Sequence, residues 1–293
     1  MGTTSRVRAH LELLRAPLLL TPTSDVLGGA AWSATLAGVT LAPGPTALAA
    51  LCGSALLVSG MAHNAWVDRH EDAQHKPDRP LARGAVSPSV VHAYWLGGAA
   101  LALGLTWARP ALLLPALGVL AASHAYHWGL KRSTLGGCVA LGAARTCDMA
   151  LGLALFAPRW SWTLAAPALL HGSFVALASW HAAHDDEARE ARAPALPAWR
   201  LAAGLLALVA IALPFNLPLA TALPAGAVLL GCALRIARAA PKLPPPALTG
   251  VLLSSMPWLA ASVALAAGQH VAAVLAASLF FAAGRLRRRF PPS

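Results

Sequence analysis

Carboxylate and amide side chains recur at every fourth position in one short segment of the chain. Asn64, Asp68 and Asp72 would lie on one face of a helix, stacked a turn apart. Oxygen-bearing groups are the ligands that Mg²⁺ takes, and Mg²⁺ commonly bridges carboxylates to the phosphates of a substrate. The spacing therefore predicts a metal site that holds a phosphorylated ligand.

Cations follow these acids directly. Lys76, Arg79 and Arg83 stand in the continuation K-P-D-R-P-L-A-R, which ends at Gly84. Ammonium and guanidinium groups bind phosphate oxygens, so these residues could hold the same ligand from its other side. A D-x-x-x-D pair alone would indicate an ordinary charged loop beside a membrane, but the preceding Asn and the following basic segment favour a site.

A second acidic stripe repeats the spacing of the first. Asp186 and Glu190 lie 118 residues after Asp68 and Asp72, with Glu in place of the second Asp. The repeat predicts two related halves, roughly 17–128 and 134–284. A solvated charged loop is the alternative interpretation of the second stripe.

Composition places both stripes in a membrane protein. Hydrophobic residues make up 57% of the 293 residues, charged residues 11%, and the mean hydropathy is +0.61. A soluble domain has about 25% charged residues. A water-soluble enzyme, a nucleic-acid-binding domain and a disordered chain are therefore excluded. The basic residues occur in small groups between apolar stretches, which is typical of a polytopic membrane protein.

Apolar stretches predict nine to ten membrane helices in a single all-α domain over residues 1–293. A membrane helix needs about 20 apolar residues, so the seventh and tenth stretches are short for a full crossing. The first is interpreted as a retained helix and not as a cleaved signal peptide. The predicted spans are 17–42, 45–63, 86–107, 110–128, 134–157, 161–182, 201–215, 217–234, 247–267 and 268–284.

The distribution of cations predicts the orientation. With the N-terminus inside, 19 of the 22 Lys and Arg residues fall in inside segments, and only Arg109 and Arg159 fall outside. This asymmetry follows the positive-inside rule. We therefore expect the N-terminus and both acidic stripes to be cytoplasmic, in what we interpret as a bacterial inner membrane.

Three charges lie within predicted spans. Asp25 is in the first, and Arg145 and Asp148 are three residues apart in the fifth, so the last two can meet on one helix face. An intramembrane charge costs about 2.5–3.5 kcal/mol on insertion scales and usually faces a cavity with a partner. The alternatives are a polar lining of a substrate cavity and a purely structural ion pair.

The first stripe carries a family resemblance. N-x-x-x-D-x-x-x-D followed by K-P-x-R-P and a glycine resembles the first aspartate-rich motif of the UbiA superfamily of intramembrane prenyltransferases. The segments Leu14-Arg15-Ala-Pro17 and Tyr126-His-Trp-Gly-Leu-Lys131 are similar to other parts of that family. The resemblance covers roughly residues 11–285. The segments around Asp25 and Arg145 most resemble the EboC-type branch.

The resemblance implies a helical bundle around a central cavity that transfers an isoprenyl group from a prenyl diphosphate to an acceptor. Its implied partners are the diphosphate, an aromatic, small or lipid acceptor and membrane lipid, with Mg²⁺ as cofactor. The implied roles are metal ligands (Asn64, Asp68, Asp72, Asp186, Glu190), catalytic groups (Asp68, Asp72, Asp186, Tyr126), diphosphate contacts (Lys76, Arg79, Lys131, Arg145) and acceptor contacts (Asp25, Asp148).

Two alternatives stay open at this point. The second stripe lacks the small and hydroxyl residues that follow it in similar proteins, which suits an altered member that only binds an isoprenoid or lipid. A secondary transporter would also have many spans and intramembrane charges. Its acids should lie near the middle of the bilayer, whereas eight of the eleven acids lie at predicted helix ends.

Overall fold

The computed structural model describes residues 3–157, 159–190, 198–213 and 216–289, with side chains except at 3–5, 184–190, 245–246 and 287–289. Every regular element in these ranges is helical, which confirms the predicted all-α fold. The α-helices are α1 (Thr3–Leu13), α2 (Thr21–Leu36), α3 (Pro43–Val67), α4 (Arg69–His75), α5 (Pro88–Ala108), α6 (Leu113–Trp128), α7 (Thr134–Leu153), α8 (Trp162–Glu190), α9 (Ala198–Ala212), α10 (Leu219–Ala239), α11 (Pro245–Leu253), α12 (Met256–Ala266) and α13 (His270–Arg289).

Each predicted span overlaps one of these helices. Within the described ranges, five segments are long and apolar enough to cross a membrane. The apolar parts of α9 and α13 are shorter, as the sequence predicted for the seventh and tenth spans. The five long segments are Pro43–Val67, Pro88–Ala108, Trp162–Ala183, Leu219–Ala239 and Ala247–Ala266.

The ninth span is not one helix. It is divided at Ser254 and Ser255 into α11 and α12. Both serine hydroxyls donate to the Val251 carbonyl, at 2.9 and 3.0 Å, and so compete with the helical hydrogen bonds. Pro257 follows and has no backbone N–H to continue the ladder. The hydrophobic pattern runs through this break without a change.

The helices close into a bundle. From α5 to α11 each helix packs against the next one along the chain, and α12 and α13 return to pack on α2. Inside this ring α2 crosses α7 in direct contact. Gly29 and Gly152 permit that crossing, because a Cβ on either one would overlap the backbone of the other helix.

Candidate functional site

Asn64, Asp68 and Lys131 meet at one end of the bundle. Asp68 stands between α3 and α4, where its N–H bonds to the Asn64 carbonyl at 3.0 Å and its own carbonyl accepts from the Asp72 N–H at 2.8 Å. The helical turn thus continues through the junction. Asn64 Nδ2 donates to Asp68 Oδ2 at 3.0 Å, and Lys131 Nζ donates to Asp68 Oδ1. Lys131 reaches it from the 3₁₀ turn Leu130–Arg132 after α6.

Asp72 pairs with Arg79 a short distance along the same segment. Arg79 Nη1 donates to Asp72 Oδ2 at 2.6 Å, and the Asp72 side chain is buried. The chain turns back after α4, where the Arg79 N–H bonds to the Lys76 carbonyl at 3.0 Å. This turn brings the basic continuation of the motif over its acids. Lys76 itself is exposed at the end of α4.

Arg15 joins this group, although the sequence did not single it out as a functional residue. It connects α1 to the 3₁₀ turn Ala16–Leu18 and has φ 48° and ψ 58°, in the left-handed region. Its charge interacts with those of Asp68, Asp72 and Arg79 and with Tyr126. It lines a small cavity, and its side chain is accessible. The sequence signal that could have identified Arg15 is its place in the L-R-A-P segment, which resembles part of the family.

Tyr126 lies beside the same group. It is near the end of α6, and the Gly137 backbone of α7 lies against its ring, since a Cβ on Gly137 would be 3.5 Å from Tyr126 Cε2. The same Cβ would be 3.5 Å from Lys131 Cα. Tyr126 also interacts electrostatically with Lys131 and Asp68. The structure therefore brings Tyr126, Lys131 and Asp68 together.

A salt-bridge cluster at the edge ties α1 to the loop after α4. Glu12 accepts hydrogen bonds from Arg8 Nε at 2.8 Å and from Arg83 Nη2 at 2.7 Å. Burial acts to raise the pKa of Glu12, but the hydrogen bonds from Arg8 and Arg83 outweigh it, so the pKa lies below its ordinary value. Arg83 thus ties the loop to α1 through its ion pair with Glu12, and it does not pair with Asp68 or Asp72.

The intramembrane charges form a second, deeper group. Arg145 Nη1 lies 2.9 Å from Asp148 Oδ2 and 3.2 Å from Asp25 Oδ2, which confirms that Arg145 and Asp148 meet on one face of α7. Arg145 Nη2 donates to the Thr21 hydroxyl at 2.8 Å. His171 of α8 places Nε2 3.1 Å from Asp25 Oδ1.

These polar groups are almost fully enclosed by α2, α7 and α8. Asp25 is 0% exposed, His171 1% and Asp148 4%. Arg145, expected at a diphosphate, is engaged here with Asp25, Asp148 and Thr21. Sequence reasoning missed His171 and Thr21, because a single histidine or threonine in an apolar helix carries no pattern of its own.

Asp186 and Glu190 lie on the last turns of α8, which extends past the predicted end of the sixth span. The helical backbone puts them one turn apart. Their side chains lie outside the described residues, so their predicted part in a metal site stays a prediction.

The first stripe suits Mg²⁺ by the chemistry of its donors. Asp68 and Asp72 offer carboxylate oxygens, and Asn64 offers an amide oxygen while its Nδ2 donates to Asp68. Among the side chains that the structure describes, no three from His, Cys, Asp and Glu converge on one point. Two carboxylates and an amide would thus supply part of the ligand set of such an ion, and further oxygen ligands would complete it.

The fold and these contacts define a class of protein: an integral membrane helical bundle with carboxylates and cations gathered at one end. The model of the UbiA prenyltransferase family matches residues 26–242. The chain therefore belongs to the UbiA prenyltransferase family.

Curated relatives share part of this sequence. The digeranylgeranylglyceryl phosphate synthase of Ignicoccus hospitalis is 33% identical over 173 residues, which is 56% of this chain and 52% of the relative. That of Natronomonas pharaonis is 37% identical over 120 residues, or 40% of this chain and 39% of the relative. The chain thus matches about half or less of the length of these relatives.

Solved structures share the fold. A UbiA homologue from Archaeoglobus fulgidus bound to DMAPP and Mg²⁺ has a TM-score of 0.65 and 15% identity, over 94% of this chain and 98% of that chain. The same homologue bound to GPP and Mg²⁺ has a TM-score of 0.64 and 14% identity, over 94% and 99%. At these identities the likeness shows the fold alone.

Proposed function

We propose that this protein transfers an isoprenyl group from a prenyl diphosphate to an acceptor, with Mg²⁺ as cofactor. The proposal rests on the pairing of Asp68 with Lys131 and of Asp72 with Arg79, next to Arg15. One end of the bundle thus offers cations for phosphate oxygens and carboxylates for a metal ion. Ligands of these kinds in a homologue of the same fold support the proposal.

Each charged group has a distinct part in binding. Arg15, Arg79 and Lys131 bind the diphosphate oxygens, with the exposed Lys76 at the entrance. Asn64, Asp68 and Asp72 hold one metal ion, and Asp186 and Glu190 complete the site from α8. Since Arg145 is already bonded to Asp25 and Asp148, we assign these three residues to selection of the acceptor.

The reaction breaks the bond between C1 of the prenyl chain and a diphosphate oxygen, and the electron pair leaves with the diphosphate. Lys131 and Arg79 stabilise the negative charge that develops on the leaving oxygens, because they are positioned before the reaction begins. Bound Mg²⁺ would supply Lewis-acid neutralisation of the same oxygens. An electron-rich acceptor atom then bonds to C1, and the acceptor loses a proton.

Tyr126 and the apolar helices protect the allylic cation. An aromatic ring attracts a cation through its π face, and Tyr126 lies among the groups that bind the leaving diphosphate. Apolar walls exclude the water that would otherwise quench the cation. The names of the curated relatives favour a lipid as the acceptor.

Turnover in proteoliposomes tests the proposal, with radiolabelled C10 to C20 diphosphates and lipid extracts as acceptors. We expect Asp68→Asn and Asp72→Asn to lower the rate by about 100-fold or more, as expected when a charged group that acts on the transition state is lost. Asp186→Asn should also impair it. Asp78→Asn is the matched control, since Asp78 is an exposed acid of the same loop. Unchanged turnover in the first two variants would contradict the metal assignment.

The altered second stripe motivates one alternative, a protein that binds a prenyl diphosphate without transferring it. Glu190 replaces the usual second Asp, and the small and hydroxyl residues that usually follow are missing. Thermal shift in detergent, with and without Mg²⁺, measures binding separately from turnover. Folded protein that binds the diphosphate but releases no pyrophosphate with any chain length or extract would support the binding protein and refute the transferase.

A further inference from the structure

A cleft lies between α10, the α11–α12 break and α13, and its first cavity also reaches the turn before α2 and the start of that helix, at Pro17, Leu18 and Thr21. It consists of two adjoining cavities of about 310 and 430 Å³. Arg235 and Phe280 line both cavities. Each volume is within the range of about 300–1,000 Å³ that is typical of small-molecule sites.

Arg235 is the only charged residue among those lining the described parts of the cleft. Its Nη2 donates to the Ser254 hydroxyl at 3.1 Å, and its guanidinium carbon lies 5.3 Å from the centroid of the Phe280 ring. Within the described ranges, no carboxylate lies within ion-pair distance of Arg235. The guanidinium is thus held in a fixed direction by a hydroxyl and an aromatic ring.

The rest of the cleft is suited to a hydrocarbon chain. Trp258 of α12 and Phe280 of α13 line it, with rings 5.7 Å apart. Small residues, among them Gly231, Ala283 and Gly284, line the cleft and leave space for such a chain. On the adjoining surface of α13, Val274 and Phe281 are exposed, as lipid-facing side chains are.

Arg235 lies near one end of its helix, where a side chain can reach a lipid headgroup. It lies four residues before the end of α10 at Ala239, or about 6 Å along the axis at 1.5 Å per residue. Arg238 follows on the same helix, and Lys242 follows the helix end. A long basic side chain near a helix end extends toward the headgroup region while its stem stays among apolar groups.

We propose that this cleft binds an anionic phospholipid, with the headgroup phosphate on Arg235, which Ser254 orients, and one chain along Trp258 and Phe280. An arginine fork recognises phosphate oxygens. The Ser254 hydroxyl accepts from Arg235 while it donates to the Val251 carbonyl, so it orients the guanidinium. A lipid in the cleft accounts both for the charge of Arg235 and for the apolar residues that line the rest of the cleft. The inference does not depend on the proposed transfer reaction.

Native mass spectrometry of the full chain in detergent tests this with phosphatidylglycerol and phosphatidylcholine. We expect the chain to retain phosphatidylglycerol preferentially. Arg235→Gln should reduce that preference about fivefold, which corresponds to about 1 kcal/mol for a basic residue near an anionic headgroup. Arg235→Lys should keep part of it. Arg238→Gln is the matched control, an exposed arginine of the same helix that does not line the cleft.

A second variant fills the cleft and leaves its charge in place. Gly284→Leu places a side chain where nothing lies within 4 Å of the Cβ position, so folding should be unaffected and lipid retention should fall. Equal retention of both lipids by the native chain would overturn the proposal. Unchanged retention in Arg235→Gln or Gly284→Leu would also overturn it, as would displacement of the lipid by inorganic phosphate alone, which would indicate a free-anion site.

Discussion

The conformation and position of Arg15 indicate that this residue has a functional role and not a structural one. A non-glycine residue in the left-handed region costs about 1–2 kcal/mol. Arg15 adopts that conformation with its side chain accessible and directed among the charges of Asp68, Asp72 and Arg79. Strain of this kind concentrates at binding sites, where the surrounding structure imposes it.

Substitution of Arg15 separates its strain from its charge. Arg15→Gly and Arg15→Ala both remove the guanidinium, so both should weaken Mg²⁺-dependent diphosphate binding by about tenfold or more, since hydrogen bonds to charged groups contribute about 1.5–3 kcal/mol. Only glycine accepts the backbone conformation without strain. The Gly variant should therefore unfold at a higher temperature than the Ala variant. Native-like affinity in both would remove Arg15 from the site.

Individual site residues differ in how well their sequence context predicts them. Asn64, Asp68, Asp72 and Arg79 share one short motif, so their proximity follows from helical spacing and one turn. The contact of Asp68 with Lys131 joins residues 63 positions apart, and only the resemblance suggested it. Local spacing also predicted that Arg145 and Asp148 would meet, but the addition of Asp25 and His171 depends on how three helices pack.

At the scale of the elements, the contact between α2 and α7 sets the position of the buried charges. Asp25 lies on α2 and Arg145 on α7, and Gly29 and Gly152 let these two helices approach until the charges can pair. Small residues at helix contacts are common in membrane bundles, because they let backbones approach closely. The structure thus shows that Gly29 and Gly152 serve helix packing.

Gly152→Ala should destabilise the protein. The added methyl group would overlap the Val26 carbonyl, and overpacking typically costs about 1–3 kcal/mol. Gly104→Ala on α5 is the control, because nothing lies within 4 Å of its Cβ position. Thermal unfolding in detergent compares the two. A Gly152→Ala variant as stable as Gly104→Ala would show that α2 and α7 separate easily.

Hydropathy located the elements well and their interruptions poorly. A run of apolar residues long enough for a membrane indicates a helix regardless of its neighbours, so each predicted span overlaps one. The break at Ser254 and Ser255 depends on side-chain hydrogen bonds and Pro257, to which average hydrophobicity is insensitive. The extension of α8 to Glu190 likewise lies beyond the apolar signal.

At the scale of the whole molecule, the bundle is closed by its last helices, and the single domain over residues 1–293 stays a prediction. Among the described residues, α12 and α13 pack on α2. The relation between the halves 17–128 and 134–284 stays a prediction. The first acidic stripe runs from the end of α3 into α4, and the second lies on the last turns of α8.

Orientation in the membrane is a prediction that labelling can check. In a background without Cys52, Cys138, Cys147 and Cys232, we expect a Gln74→Cys variant to react only from the cytoplasmic side, because the positive-inside rule places the first stripe there. A cysteine within 191–197 should behave in the same way. Trp160→Cys, at the exposed turn between α7 and α8, should react only from outside. Labelling of Gln74→Cys from outside would refute the proposed orientation.

The two ion pairs at the end of the bundle have a consequence for how ligands cooperate. Asp68 and Asp72 are already neutralised by Lys131 and Arg79, so a metal ion alone would have to displace cations and a diphosphate alone would have to displace carboxylates. When both bind together, the metal ion binds the carboxylates and the diphosphate binds Lys131 and Arg79, so no charged side chain loses its partner. By linkage, each then raises the affinity for the other equally. The proposed site would thus respond to the simultaneous presence of metal and lipid diphosphate and stay self-paired with either one alone, a coupling that thermal shifts with and without Mg²⁺ measure directly.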